Sequence, residues 1–321
     1  MQHPLEQPPR RPDGFVGESG DDGSGLTRFE RRELARQGRL VRLHRGLYLP
    51  REVWDAAPEQ ERYRWRAAAQ VTSLKAEVAV SHGSAAVLLG LPLWGQQPTR
   101  LHLSLTGPGR GWRREGYTVH RSYGEGSVVP DSAPPVVLPV LAALGLAETD
   151  GFLAGVTALD AALHRGLTTI QEARQWLGRL RRRPGMRMMT RVVEAADGLS
   201  ESPLETKARL CVRLLGYRVS LQVVLRTVDG EFVARVDLLI EELGVVIEVD
   251  GQTKYRTDAG GGSVQTLLSE KQRESAIRDL GYGVVRVDNR GLESLADLDR
   301  RIRDAADRAA PWVKRPRPPA A

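Results

Sequence analysis

Three carboxylates occur at spacings that would bring them onto one face of a β-hairpin. Asp237 lies in the segment 235–240, and Glu248 and Asp250 lie in the segment 245–250, after a short polar connection. If the hairpin is symmetric about the middle of that connection, Asp237 and Glu248 stand directly opposite each other, with Cβ atoms about 4.5–5.5 Å apart. Because side chains alternate along a strand, Asp250 joins them on that face. The opposite face would be apolar and buried, and it would hold Val236, Leu238, Ile240, Val245, Ile247 and Val249.

Opposed carboxylates repel each other, so this arrangement requires something that offsets their charge. Without it, the pKa of one of the two carboxyls must rise. A divalent cation such as Mg²⁺ or Mn²⁺ meets the requirement, because Mg²⁺ takes oxygen ligands from one or two carboxylates and keeps its other positions for water and phosphate. Bound at Asp237 and Glu248, such an ion would support phosphodiester hydrolysis. The alternative is a set of salt bridges on an exposed face, made by Arg235, Lys254 or Arg273.

Glu205 is a further acidic candidate, at the start of a predicted helix. Ser202 fits the N-cap position, Pro203 the first helical position and Glu205 the third, which is the pattern of a capping box. Helix capping alone would explain Glu205, and from the spacing it is the interpretation we prefer over a catalytic role. We expect this helix to run to Leu215, because Gly216 then ends it.

Two basic residues could act beside these acids. Lys254 closely follows the second acidic segment and could contact a substrate phosphate or an attacking water, although an ordinary surface lysine fits the same position. Arg273 falls at helical spacing with Ile277 and Leu280, on the side that would face the sheet. An arginine that is buried without a partner is destabilising, so we expect Arg273 to face the acids.

The length of 321 residues favours two or three domains, and the pattern of elements is typical of an α/β protein. Residues 199–312 alternate strands and helices, which predicts a mixed sheet flanked by helices. Before them we expect a mostly helical middle domain with a short β section at 51–198 and a winged-helix-like basic module at 26–50. The polar, turn-rich residues 1–25 and the Lys/Arg/Pro-rich residues 313–321 predict disordered tails.

Hydrophobic periodicity predicts the elements within these domains. In the middle domain we expect a helix from Glu59 to Val80, strands at 101–106 and 117–122, and four helical stretches between Val136 and Ala196. In the C-terminal domain we expect helices near 267–280 and 293–309, and strands near 218–228, 231–240, 245–250 and 283–287.

Two polar groups in the middle domain allow either a structural or a functional interpretation. His82 with Ser84 could suggest acid–base chemistry, but no acidic partner lies nearby in the sequence, so we expect helix capping and packing. The arginine cluster at 179–183 could bind phosphate, but cations are also favoured at the C-terminus of a helix, and we prefer that explanation.

The basic module combines a short helix with a β-wing. One helix face would hold Leu26, Phe29, Leu34 and Leu40, and one side of the wing would hold Val41, Leu43 and Leu47. Residues 26–50 contain seven arginines and two glutamates, which favours a polyanionic partner. We expect phosphate contacts, which supply affinity without base specificity, from Arg31, Arg32, Arg39, Arg42 and Arg45.

The net charge and the cysteine content limit which partners and which cellular compartment we expect. The formal net charge of +7 favours DNA as the partner, although an arginine-rich composition alone is weak evidence. Cys211 is the single cysteine, which excludes an intrachain disulfide and is typical of a reducing cytoplasm. Residues 1–25 lack the apolar stretch of a signal peptide, and the apolar run at 135–147 is too short to span a bilayer. We expect a cytoplasmic protein without a membrane anchor or a small-molecule cofactor; the oligomeric state stays open.

Several blocks in the C-terminal domain resemble a known nuclease family. The blocks SPLE, RVDLLI…VIEVDGQTKY and EKQRESAIRDLGYGVVRV, within residues 200–290, are similar to the domain family related to Vsr-type very-short-patch-repair endonucleases, in the PD-(D/E)XK superfamily. The resemblance implies a mixed sheet flanked by helices, Mg²⁺ dependence, and catalytic acids at Glu205, Asp237 and Glu248. Where the superfamily usually has acid-x-Lys, this chain has Asp250 as its last residue, and Lys254 is the candidate to replace the missing lysine.

The front half resembles proteins with an AbiEi-type antitoxin N-terminal region, which is a winged-helix DNA-binding module. The resemblance rests on residues 26–50, SHGSAAVLLGLPLW, LHLSLTGPG and YTVHRS. The leading hypothesis is therefore a metal-dependent DNA endonuclease with a basic DNA-binding N-terminal region. The alternative is a DNA-binding regulator or antitoxin of a toxin–antitoxin or phage-defence locus, with a nuclease-like domain that does not cut. A purely protein-binding scaffold explains neither the aligned acids nor the basic wing.

Overall fold

The computed structural model describes residues 26–95, 97–180, 183–250 and 264–314, and the chain forms two compact units. Unit one consists of Met1–Gly151 and Gln175–Met186, and unit two consists of Phe152–Arg174 and Arg187–Ala321. Helices, two mixed sheets and an antiparallel hairpin make up the described part of the chain, which confirms the predicted α/β class. In the described part of the chain, no helix is long and apolar enough to cross a membrane.

Unit one begins with a helix, a β-hairpin and two further helices. These elements are α1 (Arg28–Arg36), β1 (Leu40–His44), β2 (Leu47–Pro50), α2 (Arg51–Ala56) and α3 (Glu59–Ser73). A capping box of Thr27 and Glu30 starts α1. Strands β1 and β2 pair antiparallel, as the wing pattern predicts. Val41, Leu43 and Leu47 pack in one hydrophobic cluster, which confirms that they share a side.

Two predictions for this part of the chain are wrong. Phe29 is not on the buried side of α1, since its side chain is 77% exposed; the helix is short, and Leu34 is the apolar residue of α1 that is buried. The predicted helix from Glu59 to Val80 ends at Ser73, and Val78–Val80 form a strand instead. The β-branched residues of that segment suit a strand and pair with a neighbouring strand of the sheet.

The second sheet of unit one has four strands in the order β3-β4-β6-β5. Its elements are β3 (Val78–Val80), α4 (His82–Leu88), β4 (Leu101–Leu105), β5 (Trp112–Arg114), β6 (Tyr117–His120) and the buried helix α5 (Pro139–Thr149). Strand β4 pairs antiparallel with β3 and parallel with β6, and these two strands confirm the predictions at 101–106 and 117–122. The four predicted helical stretches are α5 with α6 (Phe152–His164), α7 (Ile170–Arg179) and α8 (Met186–Ala195).

Unit two contains a four-stranded mixed sheet in the order β10-β9-β8-β7. Its remaining elements are α9 (Pro203–Leu214), β7 (Ser220–Arg226), β8 (Phe232–Ile240), β9 (Val245–Val249), α10 (Val264–Asp279), β10 (Gly283–Val287) and α11 (Leu295–Arg308). Strands β9 and β10 are parallel and the other neighbours are antiparallel. Each element predicted from the sequence is present, with ends that differ by a few residues.

The hairpin of β8 and β9 has the predicted symmetric register. Leu238 pairs with Ile247 and Ile240 with Val245, so the next pair in this register is Asp237 with Glu248. The expected apolar residues form one core cluster, except that Val236 packs in a second cluster. That second cluster contains Leu239, Val246 and Ile277, and alternation places Leu239 and Val246 on the same face as the acids. The prediction of a single apolar face was therefore incomplete, because α10 covers part of the acidic face.

A buried ion pair holds the N-terminal part of α9 against α6. Arg209 is fully buried and donates to Asp160 Oδ2 at 2.6 Å, and the Thr206 hydroxyl donates to the same oxygen at 2.8 Å. The Asp197 N–H donates to Asp160 Oδ1 at 2.7 Å. Because these donors satisfy the buried carboxylate, the network fixes the helix turn that carries Glu205.

Candidate functional site

Asp237 and Glu248 meet at the open end of the β8–β9 hairpin. The Val249 N–H donates to Asp237 Oδ2 at 2.9 Å, which holds the Asp237 carboxylate against β9. Burial and the neighbouring Asp237 charge raise the pKa of Glu248 to about 7, while Arg273 and Arg286 act in the opposite direction. A rise in the pKa of one carboxyl is what two opposed acids require. The structure thus brings together the two acids predicted from the hairpin spacing.

Arg273 lies over Glu248, which confirms that it faces the acids. Its Nη2 donates to Glu248 Oε1 at 2.8 Å, to Glu248 Oε2 at 3.0 Å and to the Arg235 carbonyl oxygen at 2.9 Å. The Arg273 side chain is 43% exposed and Glu248 is 12% exposed, so one end of the pair reaches solvent. The salt bridge that we considered as the alternative to a metal ion is therefore present at Glu248. Arg235 itself pairs with Glu201 at 2.7 Å.

Glu205 caps its helix and also belongs to the acidic group. Its backbone N–H donates to the Ser202 hydroxyl at 3.2 Å, as the capping prediction requires. Its Oε2 accepts from the Glu201 N–H at 2.9 Å and from Gln222 Nε2 at 3.0 Å, so the reciprocal bond goes to the residue before the N-cap. Burial raises the pKa of Glu205, and the charge of Asp237 acts in the same direction. The charge of Asp237 therefore acts on Glu205 as it does on Glu248.

Gln222 is a contributor that the sequence did not reveal. It lies within β7 with a φ of 53°, a left-handed conformation that is uncommon for a residue other than glycine. Strained backbone of this kind occurs often at functional sites. Here it accompanies the hydrogen bond from the Gln222 side chain to Glu205. No spacing or motif in the sequence marks this residue.

Asp250, the third acid of the hairpin pattern, is placed differently from Asp237 and Glu248. Asp250 follows β9 and is half exposed, and Oδ2 lies 3.7 Å from Arg286 Nη1. Arg286 also forms a salt bridge with Glu274 at 3.1 Å, so Asp250 shares this arginine with an acid of α10. Lys254 lies outside the described residues, and its assignment stays a prediction.

The donor set of Asp237 and Glu248 suits a hard divalent cation. Carboxylate oxygens are the ligands that Mg²⁺ and Mn²⁺ prefer, and Mg²⁺ commonly binds through one or two carboxylates and several waters. Because Arg273 already donates to both oxygens of Glu248, an ion at this carboxylate would displace the guanidinium. Within the described ranges, Glu205, Asp237 and Glu248 do not gather their oxygens within 4.8 Å of one another. The fit is thus to a pair of acids with water, and Glu205 stands outside direct coordination.

Four of the five arginines predicted to bind DNA in unit one are on the surface. These exposed residues are Arg32, Arg39, Arg42 and Arg45. Arg31 is 3% exposed, so its inclusion needs correction: the inward side of α1 buries it, and a buried guanidinium cannot contact a phosphate on the surface. Arg36 is exposed but pairs with Glu33 at 2.8 Å.

A second group of titratable residues lies in unit one, and no motif in the sequence marks it. His82, His102 and His120 each present a ring nitrogen, and these nitrogens all lie within 4.8 Å of one another. Glu148 supplies the acidic partner that His82 lacks in the sequence, with Oε2 at 3.7 Å from His82 Nε2. Ser84 packs as expected, since its hydroxyl bonds the Tyr63 hydroxyl and the His102 N–H.

Comparison of the chain with protein-family models, with curated proteins and with solved structures gave no match.

Proposed function

We propose that the chain is a metal-dependent DNA endonuclease whose reaction centre lies at Asp237, Glu248 and Glu205. The observation that carries this proposal is the buried Glu248 carboxyl opposite Asp237, with a pKa raised to about 7. Titratable groups with such shifts concentrate at functional sites. A purely structural hairpin has no need to place two acids together beside a buried apolar surface.

Each acid has a separate task in this proposal. Asp237 and Glu248 would hold a Mg²⁺ or Mn²⁺ ion, which would supply polarisation of the phosphodiester and a lower pKa for water. Glu205 accepts the proton of the attacking water, because its raised pKa makes it a better base than an ordinary glutamate. Gln222 and the Glu201 N–H orient the Glu205 carboxylate through their hydrogen bonds. Asp250 and Lys254 stay candidates for binding water and phosphate next to the hairpin.

Arginines supply the affinity for the nucleic-acid backbone. Displaced from Glu248, Arg273 presents a half-exposed guanidinium that can bind a phosphate oxygen next to the reaction centre. In unit one, the exposed basic residues lie on α1, in the turn after it and on the β1–β2 hairpin, and they are Arg32, Arg39, Arg42 and Arg45. Contacts of this kind bind DNA without reading its sequence.

Plasmid nicking in Mg²⁺ and in Mn²⁺ tests the proposal. We expect the wild type to nick, and Asp237→Asn and Glu248→Gln each to lower the rate by about 100-fold or more. The matched control is Asp304→Asn, which removes an exposed carboxylate on α11 and should leave the rate unchanged. Equal nicking by the wild type and Asp237→Asn, with each metal tried, would show that this hairpin does not catalyse the reaction.

A second candidate function is DNA binding without cleavage, as in a transcriptional regulator or antitoxin. Two observations favour it: Arg273 neutralises Glu248, and Asp250 stands where the nuclease pattern has lysine. This function predicts salt-sensitive protection of the chain's own promoter in footprinting, with no nicking by the wild type in either metal. It also predicts that Asp237→Asn binds DNA as the wild type does.

A further inference from the structure

The fold of unit one brings three distant histidines together. In the register of β4 and β6, Ser104 pairs with His120, so His102 and His120 are diagonal neighbours on one face of the sheet. His102 Nδ1 and His120 Nε2 lie 3.0 Å apart. The Ser81 N–H donates to the His102 carbonyl oxygen at 2.9 Å, which brings His82 next to the pair. The His82 ring stacks on His120 with 3.7 Å between centroids.

His82 is held there at a cost that packing alone does not explain. Its side chain is fully buried and its φ is 53°. Among the described residues its Nε2 makes no hydrogen bond, since the Glu148 carboxylate oxygen lies 3.7 Å away. A buried ring nitrogen without a partner is destabilising, and so is left-handed backbone at a residue with a side chain. Gly145 of α5 completes the enclosure, because a Cβ there would lie 2.8 Å from His82 Cγ. The sequence therefore retains a strained, buried imidazole beside two others.

The electrostatics keep these rings in the form that binds a metal. Burial, together with the neighbouring histidines, lowers the pKa of His102 to about 4 and that of His120 to about 3. Burial also lowers the pKa of His82. Three cations face the cluster, namely Arg100, Arg113 and Arg183, and two acids face it, namely Glu148 and Asp150. The rings are therefore neutral near pH 7, and neutral imidazole is the ligand form.

We propose that His82, His102 and His120 form a binding site for one divalent transition-metal ion of the Zn²⁺ class. Imidazole nitrogen suits Zn²⁺, Co²⁺, Ni²⁺ and Cu²⁺, and three histidines leave one position of a tetrahedral ion for water or a carboxylate. Ser81 Oγ lies 2.9 Å from His82 Nδ1 and fixes that nitrogen, so Nε2, which makes no hydrogen bond within the described residues, is left to the ion. Glu148 is the carboxylate next to this nitrogen.

Binding requires a small rearrangement of the rings. The His82 and His120 planes are inclined by only 21°, so their in-plane lone pairs run side by side and do not meet at one point. One ring must turn, and the hydrogen bond between His102 and His120 must open. His102 and His120 are partly exposed, which leaves a route for an ion from solvent. His82 is buried and already held in position.

This site is chemically separate from the carboxylates of unit two. Nitrogen donors select late transition metals, and carboxylate oxygens select Mg²⁺ or Mn²⁺. The inference therefore does not depend on the proposed nuclease function. Variants in one unit should leave metal binding at the other unchanged.

Calorimetric titration of the full chain with Zn²⁺ tests the site, with Co²⁺ as a spectroscopic probe. We expect one Zn²⁺ per chain and the visible absorption of tetrahedral Co²⁺. The double variant His102→Gln/His120→Gln should lose more than the ~100-fold in affinity that loss of a supporting group can cost. The matched control His164→Gln, which replaces a histidine of unit two, should bind as the wild type does.

A subtler variant covers the case in which the double variant does not fold. Glu148→Gln keeps all three histidines, and we expect it to weaken Zn²⁺ about 10-fold and to shift the Co²⁺ spectrum. The proposal is overturned if the wild type binds no Zn²⁺. It is also overturned if Zn²⁺ binding survives in folded His102→Gln/His120→Gln, or if His164→Gln loses binding to the same extent.

Discussion

Units one and two each bury a group of titratable side chains, but the two groups respond to protons in opposite ways. In unit two, burial and like charge raise the pKa of Glu248 to about 7, so the acid is kept partly neutral. In unit one, burial lowers the pKa of His102 to about 4, so the base is kept neutral. Both groups avoid charge, yet the first loses its neutrality as the pH rises and the second as it falls. The difference follows from whether the charged form is the base or the acid.

The two groups also differ in the kind of metal ion that would stabilise them. A hard cation would stabilise the charged form of the acids, and Arg273 already does so in part. A soft or borderline metal would use the neutral form of the histidines, with no need to change their charge. Four sets of variants test this contrast, from the largest expected effect to the smallest.

Filling the space beside His82 should damage unit one most. In Gly145→Ala the new Cβ would lie 2.8 Å from His82 Cγ, 2.8 Å from the Tyr123 hydroxyl and 3.0 Å from His82 Cα. Because backbone and two rings must move, we expect a loss of about 2–3 kcal/mol in the free energy of unfolding, measured by chemical denaturation. Zn²⁺ binding should weaken with it.

The matched control for this substitution is Gly178→Ala. Gly178 is an exposed helical glycine of α7, and a Cβ there meets no atom within 4 Å. We expect it to stabilise the protein by about 0.5–1 kcal/mol, because alanine restricts the unfolded chain and favours helix. Equal stability of Gly145→Ala and the wild type would mean that the histidine cluster is loosely packed and adaptable.

Replacing Glu248 should remove the loss of stability that we expect as the pH rises. The pKa of Glu248 is raised from 4.5 to about 7, so its contribution to stability is fully present below about pH 4.5 and is lost as the pH rises through 7. Glutamine keeps the neutral form at every pH. We therefore expect Glu248→Gln to gain about 2 kcal/mol in unfolding free energy relative to the wild type between pH 5 and pH 8. Denaturation curves at several pH values measure this difference.

The histidines should give a loss of stability in the opposite direction, as the pH falls. Their folded pKa values are lowered, so stability is fully present above about pH 6.5 and is lost as the pH falls toward 4 and 3. The variant His102→Gln/His120→Gln should reduce the loss of stability at low pH and leave unchanged the loss that Glu248 causes as the pH rises. Parallel pH profiles for the wild type and Glu248→Gln would contradict the raised pKa, and Asp304→Asn serves as the control for loss of an ordinary carboxylate.

The same contrast shows what sequence reasoning could find. The acids were predictable because strand alternation and a symmetric hairpin are local rules, and they place Asp237 opposite Glu248 from spacing alone. The helix cap at Ser202 and the inward position of Arg273 are local in the same sense. Most elements of unit two were found for this reason.

The histidine cluster depends on tertiary geometry and was missed. His82, His102 and His120 are separated by about twenty residues, and they meet only because β3, β4 and β6 are neighbours in the sheet. The partner acid Glu148 lies on a helix still further along the chain. Likewise, no pattern distinguishes the buried Arg31 from the exposed Arg32, because the packing of α1 decides it. Such features require the sheet order, which no short motif in this chain specifies.

The smallest expected effect concerns DNA binding, and it tests whether a paired arginine differs from an exposed one. In EDTA, Arg45→Gln in unit one should reduce the slope of log affinity against log salt by about 1, because one phosphate contact is lost. Arg36→Gln is the matched control, since Glu33 already neutralises Arg36. Arg273→Gln in unit two should also leave the slope unchanged, because its charge is paired with Glu248.

Fluorescence anisotropy with a short duplex, between 50 and 200 mM salt, resolves a change of about 1 in this slope. An unchanged slope for Arg45→Gln would show that the β1–β2 hairpin does not belong to the proposed DNA-binding surface. A lower slope for Arg273→Gln in EDTA would mean that DNA itself competes with Glu248 for the guanidinium, so that the salt bridge of unit two opens without a metal ion. Mg²⁺ should then produce the same release in the wild type, since it neutralises the carboxylate that Arg273 leaves.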